Sequence, residues 1–416
     1  MFHMRDASGK IKYKTMNLTT SQTNERDFLK RAVWYAFKLF AVLRVGTLVW
    51  VILLSMIGGR IITEPNVLCK SSSLLEHNFH LGILLSSWLR WDTICYLIIA
   101  ENGYTVQAGL TVWPLLYPLL IRLFSFVAAS PLLAALLISS IATWIAFVLL
   151  YILVTESHDE ATAKNTLFLY TIYPLAFFLL AGYTESLFLA LAVGSLLLAR
   201  KGKWGWAGLL AALSALTRNQ GIVLALVLFW EGWLQYREGR DQSVSHILRI
   251  LLASFMPVLV FAVFAFYVHN VLHAGWPWQT LGTLWGQYSG FPWQGIIGNI
   301  KQLLTLPSSQ DLYWLPTTII DLLLAILIPI VLLLRRRSDR STYMIFAWLI
   351  LFVGLIKLGP NDTLISFSRY MLAAFPFFIA ISPIVKNRLA RLAVLSFGLI
   401  FQAILLSMFY IWSWAG

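Results

Sequence analysis

The chain has 416 residues, of which 59% are hydrophobic and 12% charged. A soluble domain carries roughly a quarter charged residues, so this composition excludes one and points to an all-α polytopic membrane protein. Lys and Arg number 31 against 18 Asp and Glu, a formal charge of +13; in such a chain that excess sets topology and attracts anionic lipid, and no nucleic-acid partner is expected.

A span needs roughly 20 apolar residues. Residues 1–32 are a basic tail (Lys10, Lys12, Lys14, Lys30, Arg31) without the apolar core of a signal peptide, so the N-terminus is expected in the cytoplasm. Residues 33–416 read as a single transmembrane domain. Its first span covers 33–57, begins as an interfacial amphipathic helix and carries Arg44, which is expected to snorkel. A large first outer loop, 58–131, follows. It holds an aromatic stretch around Asp92, and then residues 111–127, where Pro114 and Pro118 predict a re-entrant or interfacial helix. Residues 132–155 return inward to a solvated loop, His158-Asp159-Glu160. Residues 165–181 lead out, and 187–199 lead back to Arg200-Lys201-Gly202-Lys203.

Residues 204–233 form two short apolar halves around Thr217-Arg218-Asn219-Gln220-Gly221, with basic flanks on the same side. That pattern predicts a re-entrant hairpin with Arg218 at its tip, one long span being the alternative. Residues 247–271 exit to a second outer loop, 272–315, carrying Trp276, Trp278, Trp285, Trp293 and Trp314. Residues 317–334 return to a run of arginines at 335–337 and Arg340. Residues 343–358 exit, 370–385 re-enter to Lys386 and Arg388, and 392–414 exit. All strong basic clusters then lie on one side, in a bundle of roughly nine to eleven membrane helices.

Asp92 sits among Trp88, Trp91 and Tyr96. A carboxylate beside apolar rings has its charged form desolvated, the environment of a general base. A helix cap is the plainer role for the same residue. Glu185, in Tyr183-Thr184-Glu185-Ser186, either complements a helix dipole or orients a hydroxyl or cation. Arg218 and Arg369 are the candidate phosphate ligands, because arginine keeps its charge at low dielectric and grips phosphate oxygens in a fork. His269 and His273 stand at i,i+4 with no third metal ligand beside them, so they are expected to pack at an interface. No Asp-x-Asp pair and no glycine-rich nucleotide loop occurs, which argues against a nucleotide-sugar donor held through a metal.

Arg90-Trp91-Asp92 with Tyr96, Ile99-Ala100 and Gly103-Tyr104 opens a familiar series. It continues through Trp113-Pro114, Tyr117-Pro118, Tyr173-Pro174, Tyr183-Thr184-Glu185-Ser186 and Leu216-Thr217-Arg218 with Gly221. It ends with Ser368-Arg369-Tyr370 before Phe375-Pro376. In this order the motifs resemble the PIG-V-like mannosyltransferases, the GPI mannosyltransferase II family and its prokaryotic relatives, over most of residues 85–380. The resemblance implies a GT-C-like fold and a polyprenyl-phosphate-linked sugar donor, commonly mannose. It also implies inversion at the anomeric carbon and a catalytic acid in the first outer loop, which falls on Asp92. Arg90, Trp91, Tyr96, Tyr183 and Glu185 become candidates for positioning substrate. The acceptor is then a glycan or glycolipid. The chain is short for the eukaryotic enzyme, which favours a bacterial or archaeal cell membrane over the endoplasmic reticulum.

The expected chemistry is a single displacement with no obligatory cofactor, a divalent metal being the alternative. Two rivals remain at this level. A ligase or polymerase would use a diphosphate-linked glycan, and a transporter would move lipid or solute without making a bond. Transporters often show inverted repeats, and the sequence has none.

Overall fold

Long apolar runs with few breakers fold as helices, since a helix satisfies its own backbone hydrogen bonds in lipid. The computed structural model describes residues 18–58, 82–104, 109–305, 314–335, 340–413 and 415. Helix α1 is Leu18–Gly58, α2 Asp92–Asn102, α3 Leu116–Ala128 and α4 Pro131–Ser157. Next come α5 Glu160–Thr171, α6 Glu185–Arg200, α7 Trp204–Ala215 and α8 Leu224–Arg237. Helix α9 is Val244–Phe266, α10 Pro277–Trp285, α11 Pro292–Leu304 and α12 Leu315–Arg335. Helix α13 is Ser341–Ile356, α14 Phe375–Ile381 and α15 Arg388–Tyr410.

Among the described residues five helices are long and apolar enough to cross a membrane: Glu25–Ile57, Pro131–Ser157, Val244–Val271, Leu315–Arg335 and Arg388–Tyr410. Helices α3, α7 and α13 are apolar but shorter. Apolar side chains face outward along these helices, among them Ile57, Phe126, Val127, Phe255 and Leu333, as expected where the surrounding solvent is lipid.

The centre is a row of close-packed helices, α4 against α6, α6 against α7 and α7 against α9. Small residues allow the approach. Ser195 donates to the Ala207 carbonyl at 2.8 Å, and a Cβ on Gly208 would lie 2.7 Å from the Ala253 Cα. Lipid tails are as apolar as the helices, so such van der Waals contact and interhelical hydrogen bonds supply the association.

The two halves of 204–233 double back. The one-turn segment Asn219–Val223 joins α7 to α8. The far end of α8 returns to the C-terminal end of α6, where Gln235 donates to the Ala199 carbonyl at 3.0 Å and Arg240 to the Arg200 carbonyl at 3.2 Å. A side chain on Gly221 would run into the backbone of Ala215, so only glycine permits this tight break.

Two expectations are corrected. Residues 30–42 do not form a separate interfacial helix; α1 is continuous, and Arg44 does not snorkel. Its guanidinium turns inward to the Ser140 hydroxyl and to the Leu180 carbonyl at 3.3 Å, and lies over the Trp88 ring. Internal hydrogen bonds are within reach, so the arginine need not find the interface. Residues 370–385 are not one span. They form a buried series of short turns, Phe367–Tyr370, Met371–Ala373 and α14, because Pro376 cannot donate to a preceding turn. Residues 1–17, 59–81 and 105–108, in the expected tail and first outer loop, lie outside the described residues, as do 306–313 and 336–339.

At the end of the bundle where α8 terminates, Glu231 is fully buried. Arg340 grips both of its oxygens, each at 2.8 Å, and Thr342 and Gln235 donate at 2.6 and 2.8 Å. This ties α8 to the start of α13. Removing one partner leaves a buried charge uncompensated, at a cost of about 3–5 kcal/mol. Glu231→Leu is expected to lower the melting temperature of the purified protein markedly, and adding Arg340→Met to recover most of the loss.

Candidate active site

Asp92 is the first residue of α2, and Trp91, not Asp92, occupies the N-cap position. The preceding Trp91 adopts φ 49°, the left-handed region that bulky residues avoid. Such strain persists only where surrounding contacts over-determine it. Trp91 meets Trp412 edge-on and packs against the core. Gly182 lies against Thr93, where a Cβ would come within 2.8 Å of the Thr93 methyl. That close approach brings the Tyr183-Thr184-Glu185 turn to the start of α2.

The charged side chains then form a chain. Arg369 Nη1 pairs with Asp92 Oδ2 at 3.1 Å, and its Nε pairs with Glu185 Oε1 at 3.1 Å. Glu185 Oε1 also pairs with Arg218. Arg218 continues to the Thr184 hydroxyl at 3.1 Å and the Gln220 side-chain oxygen at 3.2 Å. Side-chain exposure is 13% for Asp92, 3% for Glu185, 7% for Arg369 and 11% for Arg218. Buried charges of this kind must be paired. Glu185 Oε2 has no hydrogen-bond partner among the described residues. A narrow crevice is lined by Glu185, Arg218, Gln220, Arg369 and Tyr370.

The sequence candidates distribute as follows. Asp92, Glu185, Arg218 and Arg369 meet. Tyr183 and Phe178 lie beneath the Arg369 guanidinium, 5.3 and 5.4 Å from their ring centres. Tyr96 reaches the Thr184 hydroxyl at 3.4 Å and packs edge-on against Tyr117 and Trp113. Arg90 points away from the cluster. It donates to the carbonyls of Tyr410, Ser86 and Leu89 and lies 4.5 Å over the Trp412 ring, so it fastens the C-terminal end of α15. His269 stacks on Trp276 and contacts the Ala274 carbonyl, as an interfacial residue would. Asp159 caps α5 through the Thr162 N–H at 2.6 Å, which holds its carboxyl below the ordinary range, and Glu160 pairs with Lys164. Among the described residues no group of three or more His, Cys, Asp or Glu could hold a metal ion.

Sequence reasoning missed Asp321 and Lys357. Asp321, buried in α12, accepts the Ser368 N–H at 2.7 Å, while Tyr173 donates to the Ser368 carbonyl at 2.6 Å. Together they fix the single turn Phe367–Tyr370 that carries Arg369, although Ser366 before it sits at φ 55°. The available signal was a lone acid in an apolar run, which membrane cost makes conspicuous.

The Mannosyltransferase (PIG-V) family model matches residues 35–287. Among curated relatives, GPI mannosyltransferase 2 of Yarrowia lipolytica is 29% identical over 174 residues, 40% of this chain and 46% of that protein. GPI mannosyltransferase 2 of Schizosaccharomyces pombe is 33% identical over 162 residues, 36% of this chain and 33% of that protein. The mouse GPI alpha-1,6-mannosyltransferase 2 is 36% identical over 154 residues, 34% and 30% respectively. The matched stretch thus spans less than half the length of these relatives. Two crystal structures of the Archaeoglobus fulgidus oligosaccharyltransferase are similar at 12% and 15% identity. One, tethered to an acceptor peptide, covers 92% of this chain and 56% of that one at a TM-score of 0.44. The other, with zinc and sulfate, covers 94% and 53% at 0.41. The family match takes in more than half of the chain, including Asp92, Glu185 and Arg218, and the chain belongs to the PIG-V mannosyltransferase family.

Proposed function

We propose that this protein transfers a hexose, most simply mannose, from a polyprenyl-phosphate donor to a glycan or glycolipid acceptor, with inversion, at the non-cytoplasmic face of a cell membrane. The observation that carries the reading is the convergence of two acids and two arginines, from four separate segments, in one chain of ion pairs, of which Glu185, Arg218 and Arg369 line a crevice. Asp92 gives one oxygen to Arg369 and is the more exposed of the two acids. In this reading it takes the proton from the acceptor hydroxyl as that oxygen attacks the anomeric carbon. The carbon–oxygen bond to the lipid phosphate breaks, and the electron pair leaves with the phosphate. Glu185 Oε2 accepts a hydrogen bond from a sugar or acceptor hydroxyl and orients it. The guanidinium groups meet the charge developing on the leaving oxygen, a role worth a few kcal/mol of barrier when the donors are preorganised. The basic clusters at the opposite end support a cytoplasmic N-terminus and an outward-facing site.

Asp92→Asn should reduce turnover by about a hundredfold or more, the usual contribution of a positioned base, with donor affinity nearly kept. Turnover of polyprenyl-phosphate mannose by this variant at the wild-type rate would overturn the assignment, and parity with Glu185→Gln would leave Asp92 without a distinct role. Leaving-group charge falls to arginine in this mechanism, so a chelator in the assay is expected to leave the rate unchanged.

Asp321 acts on the site only through the Arg369 turn and is a positioning residue. Asp321→Ala is expected to lower kcat about tenfold, and Asp321→Asn, whose amide oxygen still accepts the Ser368 N–H, to restore most of it. Equal losses in both variants would show that the hydrogen bond is not what matters.

A further inference from the structure

Two polar atoms on the walls of the crevice are left over from the ion-pair chain. Gln220 is 6% exposed, and its side-chain oxygen accepts from Arg218 Nε at 3.2 Å. A guanidinium N–H demands an acceptor, so Arg218 fixes the amide with its oxygen toward the arginine and its NH2 turned away. That NH2 is buried and has no hydrogen-bond partner among the described residues. Glu185 repeats the pattern with the opposite polarity. Its Oε1 takes Arg218 and Arg369, and its Oε2 is buried without a partner. Both residues line the crevice.

Neither side chain is free to turn elsewhere. Gln220 stands in the one-turn segment Asn219–Val223, just before Gly221, which lies against the Ala215 backbone. Glu185 is tied by two arginines at the start of α6. The other walls are engaged or apolar. The Tyr370 hydroxyl accepts from Lys357, the first residue of the two-residue strand Lys357–Leu358, which pairs antiparallel with Tyr288–Ser289. The Lys357 ammonium and the Arg218 guanidinium lie 4.7 and 5.1 Å from the centre of the Tyr370 ring. Phe188 and Ala373 complete the lining.

A buried donor and a buried acceptor that stay unpaired forfeit the hydrogen bonds they had in water, so a folded chain keeps few of them. Their chemistry selects what satisfies them. An anion would meet like charge at Glu185 Oε2. A cation would meet a donor at Gln220. A hydroxyl donates one hydrogen bond and accepts another, so it serves both atoms at once.

We infer that Gln220 is a specificity-determining residue, whose NH2 acts with Glu185 Oε2 to read one hydroxyl of the transferred hexose, the one on the carbon next to the anomeric carbon. Arg218 braces both readers and, in the transferase reading, faces the leaving phosphate; the sugar hydroxyl nearest that bond is on the adjacent carbon. The inference rests on that reading and adds to it the residue that tells the sugar from one lacking this hydroxyl. Gln220 carries no charge and takes no part in moving the proton or the leaving group.

The test uses the full-length protein in detergent and three donors: polyprenyl-phosphate mannose, its analogue lacking the hydroxyl beside the anomeric carbon, and its analogue lacking the hydroxyl on the exocyclic carbon. Each variant is compared with the wild type on the same donor. In Gln220→Leu, kcat/KM for the mannosyl donor should fall about tenfold further than for the first analogue, because that analogue has no hydroxyl for the amide to hold. The second analogue should fall with the mannosyl donor. A merely structural role for Gln220, through a slackened Arg218, would slow all three donors alike, and that result would overturn the inference while leaving the transferase reading intact. If Gln220→Leu does not fold, Gln220→Glu, which keeps an oxygen toward Arg218 and removes the NH2, carries the same comparison. A loss that spares the second analogue in place of the first would overturn the assigned hydroxyl. A wild-type protein that transfers sugar from none of the donors would refute the transferase reading and this inference with it.

Discussion

Arg369 is shared between two carboxylates that come from different parts of the chain, and the site is arranged around that sharing. Its partners stand at the starts of α2 and α6. Neither acid nor arginine is tolerable alone at such burial. The electrostatic demand therefore fixes where the two helices begin relative to the turn at Phe367–Tyr370. Asp321 and Tyr173 hold that turn from behind, so a second layer of polar contacts supports the first. A catalytic geometry needs this, since loosely held groups lose the benefit of preorganisation.

The doubled-back pair α7 and α8 brings the fourth member. Arg218 can meet Glu185 only because α7 stops after Ala215 and Gly221 lets the chain pass against that stop. The same pair is anchored at its other end by Glu231 and Arg340. One end of the bundle is thus held by a closed, fully satisfied ion pair, while the other keeps an open cluster with a crevice and an unused carboxylate oxygen. The closed pair lends stability, and the open one leaves capacity for a substrate.

Much of this was readable from residues alone, for reasons that also explain the omissions. Asp92, Glu185, Arg218 and Arg369 stood out because charges beside or within apolar runs are expensive. Long apolar runs marked α1, α4, α9, α12 and α15. Hydropathy failed for 370–385 because it counts apolar residues and cannot register a backbone broken into single turns by Pro376. Arg44 looked like a snorkelling residue since its partners, Ser140 and the Leu180 carbonyl, are remote in sequence. Lys357 escaped notice at the end of an apolar helix, where a lysine ordinarily marks an interface. Arg90 sits two residues from Asp92 yet serves the C-terminal helix, which spacing could not reveal.

The short strand pair beside the site has a geometric consequence. Ser289 lies opposite Lys357 and Tyr288 opposite Leu358. Side chains alternate across a strand, so a slip of one residue would exchange the faces of the lysine and the leucine. Two residues per strand give the pairing little intrinsic hold. The alignment is kept instead by what flanks it, the Gly290–Ile356 hydrogen bond and the contact of Tyr288 with Asp362. The aromatic segment that carries α10 and α11 is therefore a ratchet on the ammonium group: whatever shifts it by one notch takes the Lys357 charge away from Tyr370 and turns a hydrocarbon toward it.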